Sequence, residues 1–413
     1  MQPLITNDAI VLGILMGILV FVFRTSRSSH PFWKKFYKYV PTLLLCYFLP
    51  SILNSLGIIS GEKSQLYFVA SRYLLPTSLV LLTISIDLKE ILKLGPKALI
   101  MFFAGTFGVI IGGPLAILIV SVVAPDIVGG IGPDAVWRGL TTVAGSWIGG
   151  GANQAAMKEV FGVSNDLFSA MIAVDVIVAN IWMAFLLYGA GVHEKVDAWF
   201  KGDTSAITSL QNKIEHYRLR ISRIPDLTDA ITVVGVGFLV TAASHMIADQ
   251  VAPWIGEHAP YLAKFSLTSG FFWLIVSATT IALGLSFTPL RNLEGVGASR
   301  FGSLFLYVLV ATIGMKMNIL AIFDNPGLFL VGAIWMTFHA LIMIIVAKLI
   351  KAPFFFMAVG SQANIGGAAS APIVASAFHT SLAPVGVLLA VLGYAVGTYG
   401  AWICGIIMQS VAP

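Results

Sequence analysis

The chain has 413 residues, of which 58% are hydrophobic and 10% are charged, whereas an ordinary soluble domain is about 45–50% apolar and about 25% charged. Its mean hydropathy of +0.91 excludes a soluble enzyme, because a water-soluble chain of this length cannot hide so much apolar surface. The net charge of +5 suits loops that meet anionic lipid headgroups, and no basic stripe with interleaved aromatic residues indicates a nucleic-acid partner.

Long uncharged runs near 20 residues favour transmembrane helices over the alternating strands of an outer-membrane barrel. Twelve apolar segments follow one another, at residues 9–23, 40–58, 66–87, 97–123, 135–160, 164–191, 227–250, 265–288, 298–320, 326–350, 353–378 and 381–410. The one long polar stretch, 192–226, predicts a first membrane unit at 1–191, a linker, and a second unit at 227–413.

The two halves carry similar motifs in the same order. The pairs are Ala-Ser-Arg at 70–72 and 298–300, Thr-Ile at 83–84 and 312–313, and glycine-rich runs at 145–154 and 360–369. Ordered matches of this kind predict a duplication. The alternative is that small residues recur only because they allow close helix packing.

The positions of the basic residues bear on how the chain crosses the membrane. Lys and Arg favour the cytoplasmic side, and Arg24 to Lys38 follow the first segment. If 135–160 and 353–378 enter and return as re-entrant hairpins, about ten crossings remain, the linker is cytoplasmic and the halves are inverted. We prefer this arrangement to two broken helices that cross, and both forms bring the glycine motifs to the midplane.

The two glycine-rich motifs are the predicted solute site. Irregular backbone inside a membrane is tolerated only where it lines a cavity or is buried in protein, and free helix ends there can bind ions. The candidate solute-binding residues are Ser146, Gly149, Gly150, Gly151, Asn153, Gln154, Ser361, Gln362, Asn364, Gly366 and Gly367. The alternative is a glycine-mediated helix crossing without a ligand.

Asp175 is the predicted cation ligand, because a carboxylate in the middle of an apolar segment is costly and usually faces a cavity. The alternative is a carboxylate satisfied by neighbouring helices. Thr83, Thr312, Asn153 and Asn364 are further candidates for ion binding. We expect Asn153→Asp and Asp175→Asn to abolish coupled uptake while the protein stays folded.

Other polar residues have simpler interpretations. Arg72 and Arg300 lie near helix starts, where snorkelling to headgroups is favoured over binding of a solute carboxylate. Asp87 and Lys316 are interpreted as charges at helix ends. Single histidines such as His339 favour packing over proton relay. No cofactor is predicted, and no metal beyond a bound Na⁺.

Four motifs resemble the YjcL-like family of bacterial membrane proteins, which is catalogued as a domain of unknown function. They are Arg-Tyr-Leu-Leu-Pro at 72–76, the run at 145–157, Ala-Val-Asp at 173–175 and Ala-Asn-Ile-Gly-Gly at 363–367. The resemblance implies a distant relation to inverted-repeat carriers, among them sodium/glutamate and bile-acid symporters and cation/proton antiporters. It also implies a dimeric elevator. The glycine loops differ from the GGxG pattern of glutamate and citrate symporters, which leaves the substrate open.

The sequence therefore predicts an all-α secondary transporter of the bacterial inner membrane. It would couple Na⁺, or less favourably H⁺, to a small carboxylate-bearing solute such as an amino acid, short peptide or organic acid. An antiporter without organic substrate ranks lower, because it would need a second acid beside Asp175. An intramembrane enzyme ranks last, because Ser146 and Ser361 have no His or Lys at helical spacing.

Overall fold

A computed structural model of the chain describes residues 3–40, 42–86, 91–92, 94–202, 225–265, 267–317, 325–379 and 382–413, and these residues contain helices and no strand. Each of the twelve apolar segments contains a helix. Asp87 and most of the predicted linker, 203–224, lie outside the described residues.

Apolar runs punctuated by Gly, Pro and Asn set the helix bounds. The first part of the chain forms α1 (Asp8–Ser26), α2 (Pro31–Tyr39), α3 (Thr42–Ser55), α4 (Leu66–Ile84, with a π-helical turn), α5 (Pro96–Val123), α6 (Val136–Gly149), α7 (Gly151–Val160), α8 (Asn165–Gly191) and α9 (His193–Phe200). The second part forms α10 (Leu227–His258), α11 (Gly270–Leu285), α12 (Ala298–Gly314), α13 (Gly327–Leu349), α14 (Phe354–Ile365), α15 (Gly367–Phe378) and α16 (Ala383–Val411).

Helix length and composition confirm a polytopic membrane protein. In the described part of the chain, seven helices are long and apolar enough to span a bilayer, or up to nine if each of two bent pairs is one span. The bends are 92° between α2 and α3 and 97° after α11. Helix α12 is apolar but has 17 residues, or about 25 Å at 1.5 Å per residue. These helices occupy the ten segments predicted to cross.

The helices pack into two groups. A first bundle contains α1, α3, α4, α10, α11 and α12, and a second bundle contains α5 to α8 and α13 to α16. The most extensive packing within the second bundle joins α16 to α6 and α5 to α13, whereas in the first it joins α10 to α11 and α4 to α12. Each half of the sequence gives three consecutive apolar segments to each bundle. The units 1–191 and 227–413 are therefore interleaved in space.

Candidate functional site

The first glycine motif forms a helical hairpin. Gly150 separates α6 from α7 with φ 76° and ψ −175°, a conformation open essentially only to glycine. A Cβ on Gly145 would lie 2.6 Å from the carbonyl oxygen of Asn153, although eight residues of straight helix span about 12 Å. The chain therefore folds back at Gly150.

The second glycine motif breaks the chain between α14 and α15. Gly366 joins the two helices, and Gly367 has φ 55°. Across this break, Gln362 Nε2 donates a hydrogen bond to Ser370 Oγ at 2.7 Å. A Cβ on Gly367 would lie 3.9 Å from the Cα of Gly150. The two glycine breaks, predicted to meet, are therefore neighbours in the structure.

A cavity of about 350 Å³ opens beside the two breaks, between the two bundles. The residues that line it are Leu43, Ser146, Gly150, Gly151, Asp175, Val176, Ala179, Asn180, Met183, Ser303, Leu306, Tyr307, Gln362, Ile365, Gly366, Gly367, Ala368, Ser370 and Tyr394. Seven predicted site residues are among them: Ser146, Gly150, Gly151, Asp175, Gln362, Gly366 and Gly367. The first bundle closes the cavity with α3 and α12, which supply Leu43, Ser303, Leu306 and Tyr307.

Among the described residues that line the cavity, Asp175 is the one charged residue, and none is Lys, Arg or His. Its side chain is buried on α8, and both carboxylate oxygens accept hydrogen bonds. Trp147 Nε1 donates to Oδ1 at 2.7 Å, and Gln154 Nε2 donates to Oδ2 at 2.9 Å. Gln154 thus hydrogen-bonds the carboxylate but is not itself part of the cavity lining. The formal charge of the lining is −1.

Two helix N-termini meet at the cavity. Helix α7 begins after Gly150 and α15 begins after Gly366, and both N-cap residues are glycines, which have no side chain to cap a helix. The first backbone N–H groups of a helix lack intrahelical partners and carry a partial positive charge. The cavity therefore combines two electropositive helix ends with one carboxylate.

Gln362 presents an unpartnered acceptor at the same place. Its side chain is 2% exposed, and its Oε1 is buried without a hydrogen-bond partner among the described residues. A buried amide oxygen without a donor costs about 1–3 kcal/mol. A ligand that donates a hydrogen bond or carries positive charge would satisfy it.

Asn153 and Asn364 are predicted ligands that the structure places outside the cavity lining. Asn153 Nδ2 donates to the carbonyl oxygens of Gly149 and Tyr394, both at 3.1 Å, and its Oδ1 accepts from Thr398 at 2.7 Å. Its amide therefore ties α7 to α6 and α16. Gly149, also outside the lining, is the carbonyl partner in this tie.

Asn364 makes the same three kinds of bond. Its Nδ2 donates to the carbonyl oxygens of Phe102 at 2.9 Å and Gly360 at 3.0 Å, and its Oδ1 accepts from Thr106 at 2.8 Å. Each asparagine donates to the carbonyl oxygen of the residue four positions before it and to a second carbonyl oxygen on a long helix, α16 for Asn153 and α5 for Asn364. Each also accepts from a threonine four residues further along that long helix. They hold the glycine breaks in place.

Ser361 lies in a buried chain of hydrogen bonds away from the cavity. Trp182 Nε1 donates to Ser361 Oγ at 2.8 Å, and Ser361 Oγ lies 2.8 Å from His339 Nε2. His339 Nδ1 lies 3.1 Å from the carbonyl oxygen of Gly105, which assigns the proton to Nδ1. Ser361 therefore donates to Nε2. Helical spacing could not reveal this histidine, which comes from α13.

The two threonines predicted as ion ligands also lie outside the lining. Thr312 Oγ1 donates to the carbonyl oxygen of Leu309 at 2.7 Å within its own helix. Thr83 Oγ1 is buried with no hydrogen-bond partner in the described part of the chain. Conversely, Ser303 and Tyr307 line the cavity and were not predicted. Their only sequence signal is polarity within the apolar segment 298–320.

Comparison with known proteins assigns the chain to a family. The profile of a family described as "Protein of unknown function (DUF819)" matches residues 13–411. The chain belongs to this family. The uncharacterized membrane protein YjcL of Bacillus subtilis (strain 168) is 25% identical over 362 residues, which cover 84% of this chain and 85% of YjcL. The resemblance to the YjcL-like family is therefore confirmed, and both glycine breaks and Asp175 lie within the DUF819 match.

Proposed function

We propose that the protein is a secondary active transporter, coupled to Na⁺, of a small carboxylate-bearing solute such as an amino acid, a short peptide or an organic acid. It works in the inner membrane of a bacterium as a homodimer and uses no cofactor. The observation that carries this proposal is one cavity that is lined by two helix N-termini and by one buried carboxylate.

The solute's carboxylate would bind at the two helix ends. The first residues of α7 and α15 line the same cavity, and the N-terminus of a helix carries a partial positive charge that favours an anion. Glycine at Gly150, Gly151 and Gly367 lets a ligand approach the backbone closely. Discontinuous helices that meet near the midplane are the usual construction of a transporter's binding site. Ser146 and Ser370 add hydroxyl groups to the same lining.

The coupling cation would bind in the same cavity, at the Asp175 carboxylate. Asp175 supplies the negative charge, and Trp147 and Gln154 fix the orientation of its carboxylate. The unpartnered Oε1 of Gln362, next to the second glycine break, would serve as a neutral oxygen ligand. Na⁺ is a hard cation that oxygen atoms coordinate, whereas imidazole and thiolate suit transition metals.

Alternating access would arise from movement of one bundle past the other. Each bundle holds three segments from each half, as inverted repeats would give, and the second bundle carries both glycine breaks and Asp175. The first bundle contributes apolar side chains and two polar residues to the cavity wall. An elevator motion would carry the second bundle with its ligands, and the two breaks would act as re-entrant hairpins.

Two other functions have less support. A cation/proton antiporter without organic substrate would benefit from a second acid, and Asp175 is the one carboxylate of the described lining. An intramembrane enzyme would need an accessible nucleophile. Ser361 does contact His339, but both side chains are 0% exposed and neither lines the cavity.

The test is uptake by the purified protein in sealed proteoliposomes. An inward Na⁺ gradient should drive accumulation of at least one member of labelled pools of amino acids, dipeptides and organic acids. A choline gradient of the same size should not. Asp175→Asn should abolish the Na⁺-driven component, whereas Asp126→Asn, which changes an exposed carboxylate, should retain it.

Three results would overturn this proposal. Accumulation that follows a pH gradient in place of the Na⁺ gradient would replace sodium with proton coupling. Uptake by Asp175→Asn that equals wild type would remove Asp175 from the site. Transport of inorganic cations against protons, with every organic pool inert, would establish the antiporter.

A further inference from the structure

A cluster of charged residues lies at the far end of α7 from the cavity. Lys158 is eight residues beyond Gly150, or about 12 Å along a helix. Arg72 Nη2 lies 3.5 Å from Glu159 Oε2, and Lys158 Nζ lies 3.6 Å from Glu159 Oε1. The hydroxyl of Tyr67 donates to Glu159 Oε1 and accepts from Lys158 Nζ at 3.1 Å. The cluster thus joins α4 to α7.

A third cation completes this cluster. Lys316 follows α12, and its Nζ lies 4.5 Å from the centre of the Tyr67 ring. The charged groups that act on Lys158 are Glu159, Lys316 and Arg72. Among the described residues, three cations therefore share one carboxylate, a surplus of two positive charges. Asp8, which accepts a hydrogen bond from the Gln65 amide nearby, would still leave a surplus of one.

Burial makes this surplus costly. The Lys158 side chain is 7% exposed and that of Glu159 is 15% exposed. A buried charge is stable only when it is paired and hydrogen-bonded. Arg72 Nη1 is in addition buried without a hydrogen-bond partner among the described residues. A guanidinium donor without an acceptor, beside two ammonium groups, is the arrangement that an anion satisfies.

Membrane orientation does not account for the cluster. The predicted topology places the ends of α7 and α12 and the start of α4 on the outer side, where Lys and Arg are not favoured by the positive-inside rule. The Arg72 side chain is 32% exposed, so that the edge of the cluster is accessible. The preference of Lys and Arg for cytoplasmic loops therefore does not explain these three cations.

We propose that Arg72, Lys158 and Lys316 form a second binding site, separate from the cavity, for an oxyanion. The ligand binds at the exposed part of the Arg72 side chain and balances the charge of the two lysines. Phosphate and carboxylate oxygens fit this donor set, because arginine binds them through its planar fork. A lipid phosphate and a free small anion present the same chemistry. The site does not depend on the proposed transport function.

The experiment measures two probes on the purified protein. Equilibrium dialysis of the delipidated protein with labelled inorganic phosphate tests a free oxyanion, and native mass spectrometry with phosphatidylglycerol tests a lipid headgroup. We expect saturable binding of one or both probes, weakened about tenfold or more by Lys316→Gln, since a hydrogen bond to a charged group contributes at least that factor. Arg72→Gln is the second variant should Lys316→Gln fold poorly.

Two variants separate a binding site from a structural cluster. Lys348 Nζ lies 4.4 Å from the ring centre of Trp199, so Lys348→Gln removes a matched lysine outside the cluster and should bind both probes as wild type does. Glu159→Gln removes the competing carboxylate and should tighten binding. Phosphate binding identifies a free anion, and binding of lipid alone identifies a headgroup. No binding of either probe, or equal binding by wild type and Lys316→Gln, overturns the proposal.

Discussion

The hydrogen bonds of Asn153 make its replacement by aspartate a test of stability. The change Asn153→Asp keeps the shape of the side chain but replaces the Nδ2 group, which donates to the carbonyl oxygens of Gly149 and Tyr394, by an oxygen. The carbonyl oxygen of Gly149, the last residue of α6, loses its donor, which costs about 1–3 kcal/mol. The carbonyl oxygen of Tyr394 keeps the backbone hydrogen bond that it accepts within α16. The expected destabilisation is therefore about 1–3 kcal/mol, whereas the stability of a typical domain is about 5–15 kcal/mol.

The consequence can be measured as a thermal unfolding midpoint in detergent. An unfolding entropy of about 2.1 cal/mol/K per residue over the chain converts this loss to a lowering of about 1–3.5 °C. Asn180→Asp is the matched control, because Asn180 Nδ2 makes one bond, to the carbonyl oxygen of Val176 at 2.6 Å. It should lower the midpoint by no more than half as much. A midpoint of Asn153→Asp equal to that of wild type would refute the role of Asn153 as a tie.

Two further predictions concern the glycine break and the buried serine. Gly150→Ala should lower the free energy of unfolding by about 1–3 kcal/mol, because alanine does not favour the backbone conformation of Gly150. Gly151→Ala should be tolerated, because its Cβ would meet nothing closer than 3.9 Å. Equal thermal midpoints for the two variants would contradict this prediction. Ser361→Ala should lower the thermal midpoint and shift the fluorescence of Trp182, because the indole N–H loses its acceptor. Unchanged emission would show that this contact does not persist in solution.

Much of the fold could be predicted from composition and order along the chain. Uncharged runs near the length of a bilayer span located the helices, because the membrane demands that length. The glycine motifs located both breaks, because only glycine adopts the conformation of Gly150. The division into two bundles could not be predicted, since it depends on packing between segments far apart in sequence.

Part of the site was predictable and part was not. Asp175 and Gln362 line the cavity as expected, since a polar residue in an apolar segment faces a cavity or a partner. The amides of Asn153 and Asn364 looked equally suited to ligands, but they are used by backbone carbonyls on α16 and α5. A sequence shows that an amide is present and cannot show which partner saturates it. The expectation that Asn153→Asp stays folded remains a prediction, to which the loss of stability derived above is added.

The most direct test of a sodium-coupled site at Asp175 is a thermal scan of the detergent-purified protein in NaCl and in choline chloride at matched ionic strength. A cation that binds the folded state raises its unfolding midpoint by mass action. We predict a saturable, Na⁺-specific rise in wild type and in Asp126→Asn that is absent in Asp175→Asn. Midpoints that are equal in the two salts for folded wild type, or a Na⁺-dependent rise that persists in Asp175→Asn, would contradict the account.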